Sequence, residues 1–321
     1  MAEYINIRGQ SIEVVASDPA NPTIGQIWYN STSNTLKGLG VSSVGSWATG
    51  NNMNTARSGI AGTGTQTAAV SFGGENPGGV TGATEEYDGN SWTSSTSLST
   101  TRRQSAGAGI QTAALAFGGE GPPVTGATEE YNGATWSPSN PLNTARRQLG
   151  EAGIQTAALA FGGDLDPGTS GATEEYDGNS WANSNNLITA RSEFAGCGTQ
   201  TAALAAGGPS PTGPTEEYNG TSWTASNNLN TARSKLAAAG IQTAALAFGG
   251  NTGSLTGTTE EYNGTSWTTS PGSMNTARTA LAGAGTQTAG LAFGGGVPAS
   301  SNATEEWLGA GSPQTKTITA S

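Results

Sequence analysis

Residues 109–119 read GIQTAALAFGG, and residues 153–163 repeat them letter for letter. The run returns, identical or slightly changed, at 64–74 (GTQTAAVSFGG), 198–208 (GTQTAALAAGG), 240–250 (GIQTAALAFGG) and 285–295 (GTQTAGLAFGG). Self-similarity at a nearly fixed period marks a repeat architecture and outranks other readings of a chain. Ahead of each copy stands an arginine in an NTAR-like tetrapeptide: Arg57, Arg102, Arg146, Arg191, Arg233 and Arg278, spaced 42–45 residues apart. A Glu-Glu-aromatic triplet follows each copy, ending at Tyr87, Tyr131, Tyr176, Tyr218, Tyr262 and Trp307. Five residues beyond the first five of these come Trp92, Trp136, Trp181, Trp223 and Trp267.

QTAALAFGG is too short for a helix and is bounded by glycine-rich turns, so it reads as a strand buried on both faces. Its alanines let neighbouring sheets approach closely. The small residues before it, such as SAGAGIQ at 105–111, suit an inner strand crowded near an axis. GATEEY reads as a third strand. The DGNS, NGAT or NGTS that follows reads as a hairpin turn with φ > 0 at both central positions. A fourth strand begins at the tryptophan. Four strands in about 44 residues make one antiparallel blade.

With that order of elements, residues 57–307 resemble the kelch repeat: an arginine, a strand ending in a double glycine, a spaced tyrosine and then a tryptophan. The resemblance implies an all-β fold, a kelch-like β-propeller. In it, backbone crowds backbone at double glycines such as Gly73 and Gly74, and the tyrosines and tryptophans wedge between blades. The last copy departs from the pattern, with Trp307 in the tyrosine place and Ser312 in the tryptophan place. Residues 24–56 hold two strand-like runs, Trp47 in the repeat tryptophan position and an NTAR ending, and read as a degenerate first blade. The favoured count is therefore seven four-stranded blades: residues 24–56, then six repeats over 57–321, with residues 1–23 a first-blade strand or a virion anchor and the terminal QTKTITAS the last outer strand. In the alternative of six blades, the strand from Trp47 closes the last blade and residues 1–40 form a separate arm.

Composition narrows the function. Of 321 residues 50 are glycine and only 11% are charged, with a net charge of −11. Nucleic acid and anionic membranes are therefore not expected partners. The six Glu-Glu pairs, set against the six repeat arginines, supply six of the eleven negative charges, so the acidity belongs mostly to the scaffold. MAEYINIRGQ has no apolar core of the secretory kind and no stretch approaches the ~18 apolar residues of a span, so neither export by that route nor insertion is expected. The single Cys197 replaces a small residue of the other copies and reads as packing.

The chain has no histidine, which removes the commonest general base and metal ligand. No metal site, cofactor or enzymatic activity is expected. Adjacent glutamates such as Glu85 and Glu86 point to opposite strand faces, unsuitable for shared catalysis; one of each pair is expected to meet the repeat arginine. DGNSW resembles the Asp-box of sialidases but is a residue short. The glycan-acceptor pattern at Asn30, Asn219, Asn263 and Asn302 reads as chance in a chain with no secretory signal.

Comparison of the copies separates two faces. Turns of the GTQT and DGNS kind are nearly constant, whereas the loops between second and third strands differ: ENPGGVTG, EGPPVTG, DLDPGTSG, PSPTG, NTGSLTG and GVPASSN. Two readings fit this variation: the loops drift because nothing constrains them, or they read a ligand, in the manner of binding loops held by a rigid scaffold. Their candidate ligand residues are Glu75, Asn76, Glu120, Asp164, Asp166, Asn251 and Asn302, side chains able to bond sugar hydroxyls. The repeat arginines and Trp47, Trp92, Trp136, Trp181, Trp223 and Trp267 are expected to be structural. GQIWYNSTSNTLKG, at 25–38, resembles a segment recurrent in bacteriophage tail-fibre and other virion proteins. It implies a multicopy virion structural protein, made in the host cytoplasm, with other virion proteins as partners and host-surface polysaccharide as a candidate ligand. The rival expectations are a glycan-active propeller enzyme and a kelch-type protein-binding adaptor.

Overall fold

The computed structural model describes residues 12–209 and 213–318, and its regular structure there is β throughout. The chain divides into two compact units, Ser46–Leu308 and Met1–Gly45 with Gly309–Ser321.

Ser46–Leu308 holds six four-stranded antiparallel sheets in a propeller-like arrangement. The second is typical: Ala106–Ile110 innermost, then Ala113–Phe117, Thr128–Tyr131 and Trp136–Ser139. Each innermost strand lies beside the next, and the last, Ala282–Gly285, lies beside the first, Ala61–Thr65, so the sequence of sheets closes on itself. The outer strand of the sixth sheet comes from the beginning of the unit: Ser46–Thr49 pairs antiparallel with Thr304–Leu308, placing Trp47 opposite Trp307.

The strands of residues 24–56 thus do not form one blade, which corrects the favoured seven-blade reading. Ile27–Asn30 and Thr35–Val41 belong to the other unit, in a sheet with Glu13–Val15 (parallel) and Pro313–Thr317 (antiparallel). The terminal QTKT pairs there and not in the last sheet of the ring. The physical reason is the departure at Ser312: the sixth repeat lacks an outer-strand tryptophan, and Trp47 supplies it. Residues 1–11 of the amino-terminal segment lie outside the described residues.

The core lies between sheets, as six apolar clusters, one for each pair of neighbours. The alternation in A-L-A-F explains it. Ala114 and Ala116, with Tyr131 and Trp136, face Val70 and Phe72 of the preceding sheet, whereas Leu115 and Phe117 face Ala158, Ala160, Tyr176 and Trp181 of the next. Successive side chains of a strand point to opposite faces, so one pentapeptide gives every sheet a bulky face and a small-residue face that fit each other around the circle. Glycines of the innermost strands complete the fit. A Cβ at Gly107 would lie 2.7 Å from the Phe72 ring, and one at Gly62 2.5 Å from Phe293. The fourth sheet supplies a compensating pair: Ala206 stands where other copies have phenylalanine, and the next innermost strand tolerates Ala238 where most have glycine.

Candidate functional site

Nearly every constant polar side chain is consumed by the scaffold. The first glutamate of each pair meets the repeat arginine within its own sheet: Arg57–Glu85 at 3.0 Å, Arg102–Glu129 at 3.1 Å, Arg146–Glu174 at 3.0 Å, Arg191–Glu216 at 3.2 Å, Arg233–Glu260 at 2.6 Å and Arg278–Glu305 at 3.0 Å. These pairs are buried. Burial pulls the Arg102 and Arg146 guanidinium groups down to about 10, against the opposing charge of their carboxylates, so they stay cationic at neutral pH. Arg57 also donates from Nη1 to the Gly73 and Ala83 carbonyls. Each carboxylate accepts from the NTAR backbone as well, Asn143 N–H donating to Glu174 at 2.7 Å.

The second glutamate reaches the next sheet. Tyr176 donates its hydroxyl to Glu130 at 2.6 Å and Tyr218 to Glu175 at 2.5 Å; Tyr131 and Tyr262 donate likewise to Glu86 and Glu217. Burial and these carboxylates raise the four phenols to about 12. Every outer-strand tryptophan donates Nε1 to a threonine of the preceding sheet, Trp136 to Thr84 at 3.0 Å and Trp47 to Thr259 at 2.8 Å. Sequence reasoning missed the glutamines of QTAAL. Gln111 Nε2 donates to Ala69 O and Tyr87 O across the interface, and Gln66 does the same to Gly290 and Trp307, closing the circle. Their recurrence in all six copies was the available signal.

The constant turns are four-residue loops. In the first, Asp88 Oδ1 accepts from the Asn90 and Ser91 N–H groups, and Gly89 alone has positive φ, 88°. The expected turn with two positive-φ residues is therefore replaced by one in which the Asp or Asn side chain closes the loop.

The variable face is organised by two arginines that were not singled out. Arg103 pairs with Glu75 and lies 3.4 Å from Glu120; Arg147 lies 2.7 Å from Glu120, 3.7 Å from Asp164 and 3.9 Å from Asp166. Four candidate ligand residues are thus joined in one charged arc across three sheets. Burial works to raise the Glu120 carboxyl, but the hydrogen bonds and charges of Arg147 and Arg103 outweigh it and hold the group below its ordinary value. The other three sit within their own local structure: Asn76 accepts from Gly78 N–H, Asn251 from Gly253 N–H, and Asn302 donates to Met53 O. The seven do not converge on one pocket.

The same face carries a backbone ring around the axis. Gly59 N–H donates to Ala280 O, Ala280 to Lys235, Lys235 to Glu193, Glu193 to Gln148, Gln148 to Gln104, and Gln104 back to Gly59, at 2.7–3.1 Å. All six have left-handed φ of 51–59°, uncommon outside glycine, so the ring holds five non-glycine residues in a costly conformation. These residues line a cavity of about 260 Å³, with Ile60, Leu149, Phe194, Leu236 and Leu281 among its apolar walls and Ser105 and Glu151 among its polar ones. A second axial space of about 150 Å³, lined by the small residues of the innermost strands and Cys197, shares Glu151 with the first. Burial, with the nearby Glu151 charge, pushes the Cys197 thiol up to about 12, so it stays protonated at neutral pH. Burial alone raises the Glu151 carboxyl to about 8.

No protein-family model matches the chain, and no curated protein matches it.

Proposed function

We propose that the chain is a bacteriophage virion structural protein, a multicopy capsid or tail component made in the host cytoplasm. In this reading, its kelch-like ring displays a variable face to host-surface polysaccharide, while other virion proteins hold it in the particle. The observation that carries the display reading is the partition of chemistry. Arginine, glutamate, tyrosine, tryptophan and glutamine of nearly every repeat are spent on bonds within and between sheets, so the scaffold is close to chemically uniform. Side-chain diversity is concentrated on one face, around the axial cavity. The kelch-like reading rests on the arginine, double glycine, tyrosine and tryptophan recurring in order. The virion reading rests on GQIWYNSTSNTLKG, much of which forms the hairpin of Ile27–Asn30 and Thr35–Val41.

The charged arc revises which loop atoms are free for a ligand. Carboxylates held by Arg103 and Arg147 orient the loops, and hydroxyl and amide groups beside them are left to meet sugar hydroxyls. Weak affinity per copy suits multivalent display, which raises avidity by roughly 10²–10⁴. The test exchanges loops 75–82 and 164–171 for the short PSPTG form and measures particle assembly and host adsorption separately. Lost adsorption with normal assembly is the expected result; lost assembly with normal adsorption would move the face to the particle side. Absence of the chain from purified particles would overturn the virion assignment.

A further inference from the structure

Glu151 occupies the innermost-strand position at which Gly62, Gly107, Gly196 and Gly283 stand in four other copies and Ala238 in the fifth. The scaffold gives no reason for it. At this position the equivalent glycines approach the phenylalanine of the neighbouring sheet so closely that even a Cβ is crowded. Among the described residues, its carboxyl has no hydrogen-bond or ion-pair partner, and its residual exposure is to the axial space it lines. An isolated carboxylate held away from water is costly unless paired.

A second anomaly points into the same cavity. Ser105 stands where the other copies carry Ile60, Leu149, Phe194, Leu236 and Leu281, and its hydroxyl oxygen is buried without a partner. The remaining charged pair of the wall is already satisfied: Lys235 Nζ lies 3.2 Å from Glu193, which also accepts from Gln148 at 3.2 Å. The cavity therefore has an unpartnered acidic group and a buried, unpartnered hydroxyl on adjacent sheets, with the apolar side chains of Phe194, Leu236 and Leu281 among the rest of its wall. At about 260 Å³ it falls below the ~300 Å³ at which pockets for drug-sized ligands begin, so it holds one compact group and not a chain.

We propose that the axial cavity binds a single amino-sugar residue, its ammonium group on Glu151, a hydroxyl on Ser105 and its C–H face against Phe194 and Leu236. This rests on the glycan-binding reading and narrows it, moving the specific contact from the loops to the axis. A metal ion is the poorer occupant. Calcium takes six to eight oxygens, and among the described residues no group of three acidic or thiol side chains could hold one. An ammonium group needs one carboxylate and a few acceptors.

The experiment titrates glucosamine and, separately, glucose into the full chain at neutral pH, read by ligand-observed NMR and calorimetry. Glucosamine should bind at least ~10-fold more tightly than glucose, a net factor that remains after the Glu151 carboxyl gives up, on meeting the ammonium group, the proton it holds in the empty cavity at neutral pH; calorimetry in buffers of different ionisation heat should show that release. Glu151→Gly and Ser105→Leu each install what other copies carry, so both should fold with the parent's circular dichroism spectrum. Glu151→Gly should reduce glucosamine binding ~10-fold or more, and Ser105→Leu should fill the cavity and abolish it. Glu151→Gln, which keeps the shape, separates charge from volume and should match Glu151→Gly. Equal affinity for the two sugars, no binding of either, or unchanged glucosamine affinity in Glu151→Gly overturns the proposal. Particles carrying Glu151→Gly distinguish it from the broader reading. Normal adsorption there, with lost adsorption in the loop-exchanged particle, rejects the axial site and keeps glycan binding. Normal adsorption in the loop-exchanged particle, with glucosamine still bound by the isolated chain, does the reverse.

Discussion

Glu151 makes the stability of the ring depend on pH. Its carboxyl is raised from 4.5 to about 8 by burial, so between those values the folded chain holds a proton that the unfolded chain has released. The sign follows: this contribution is complete below the unfolded value and is lost as the pH climbs toward 8. At ~1.4 kcal/mol per pKa unit, the loss amounts to a few kcal/mol. Cys197, Glu193 and Lys235 are the other titratable groups lining the axial spaces. Thermal melts of Glu151→Gln should therefore diverge from the parent with rising pH, the variant becoming relatively more stable; parallel curves would contradict the shift. The interface aromatics are insensitive to pH in this range but costly to remove. Trp136 is 8% exposed and packs edge to face against Phe72, ring centres 4.9 Å apart, across the sheet boundary, so Trp136→Ala should lose about 3–5 kcal/mol in chemical denaturation. Tyr176→Phe should lose about 1–3 kcal/mol, because Glu130 is left without its donor. The repeat tryptophans and arginines were legible as scaffold because they recur. Glu151 and Ser105 were not, because one deviation among six copies looks like drift until the cavity it faces is seen.

At the level of the strand, A-L-A-F was read as a run buried on both faces, and it is. What period-two reasoning alone does not give is the fit between unlike faces, small against large, which becomes apparent only when sheets are arranged around a circle. The same limit applies to charge. Strand alternation sends the two glutamates to opposite faces, one to the arginine of its own sheet and the other to the tyrosine of the next. Arg146→Ala removes the ionic partner of buried Glu174 and should cost about 3–5 kcal/mol, more than a surface change at Arg147. Equal effects in urea titrations would mean that the carbonyl bonds, and not the ion pair, hold the strand. Glu261 is an internal control. The residue that would serve it is Trp307, which has no hydroxyl, and burial raises its carboxyl. Trp307→Tyr should therefore stabilise Glu261 electrostatically while losing the Trp307 Nε1 bond to Gln287 O. The four-residue turns escaped the sequence reading because Asp-Gly and Asn-Gly signal both two-residue and longer hairpins, and the flanking pairing, Tyr87 opposite Trp92, decides between them.

For the whole molecule, the error in blade number has a topological cause. Length divided by period counts residues, and it cannot tell that Trp47 belongs to a sheet whose other strands lie about 240 residues later. That closure predicts an asymmetric truncation series. A chain spanning 46–308 contains every strand of the six sheets and should melt cooperatively by circular dichroism. A chain spanning 57–308 lacks the outer strand of the sixth sheet, exposes Phe248 and Thr259 where Trp47 packed, and should melt at lower temperature or aggregate.

The axial ring of left-handed residues has a further electrostatic consequence. Peptide dipoles that run head to tail along a helix add up and leave a positive and a negative end. In six that run head to tail around a closed ring, the components lying in the plane of the ring cancel, whichever way they circulate. The circulating part of the ring's field therefore exerts no net pull on ions, unlike the helix ends that bind phosphate. Whatever sign preference the axis shows must come from the few charged side chains that line it, and exchanging them should be enough to reverse it.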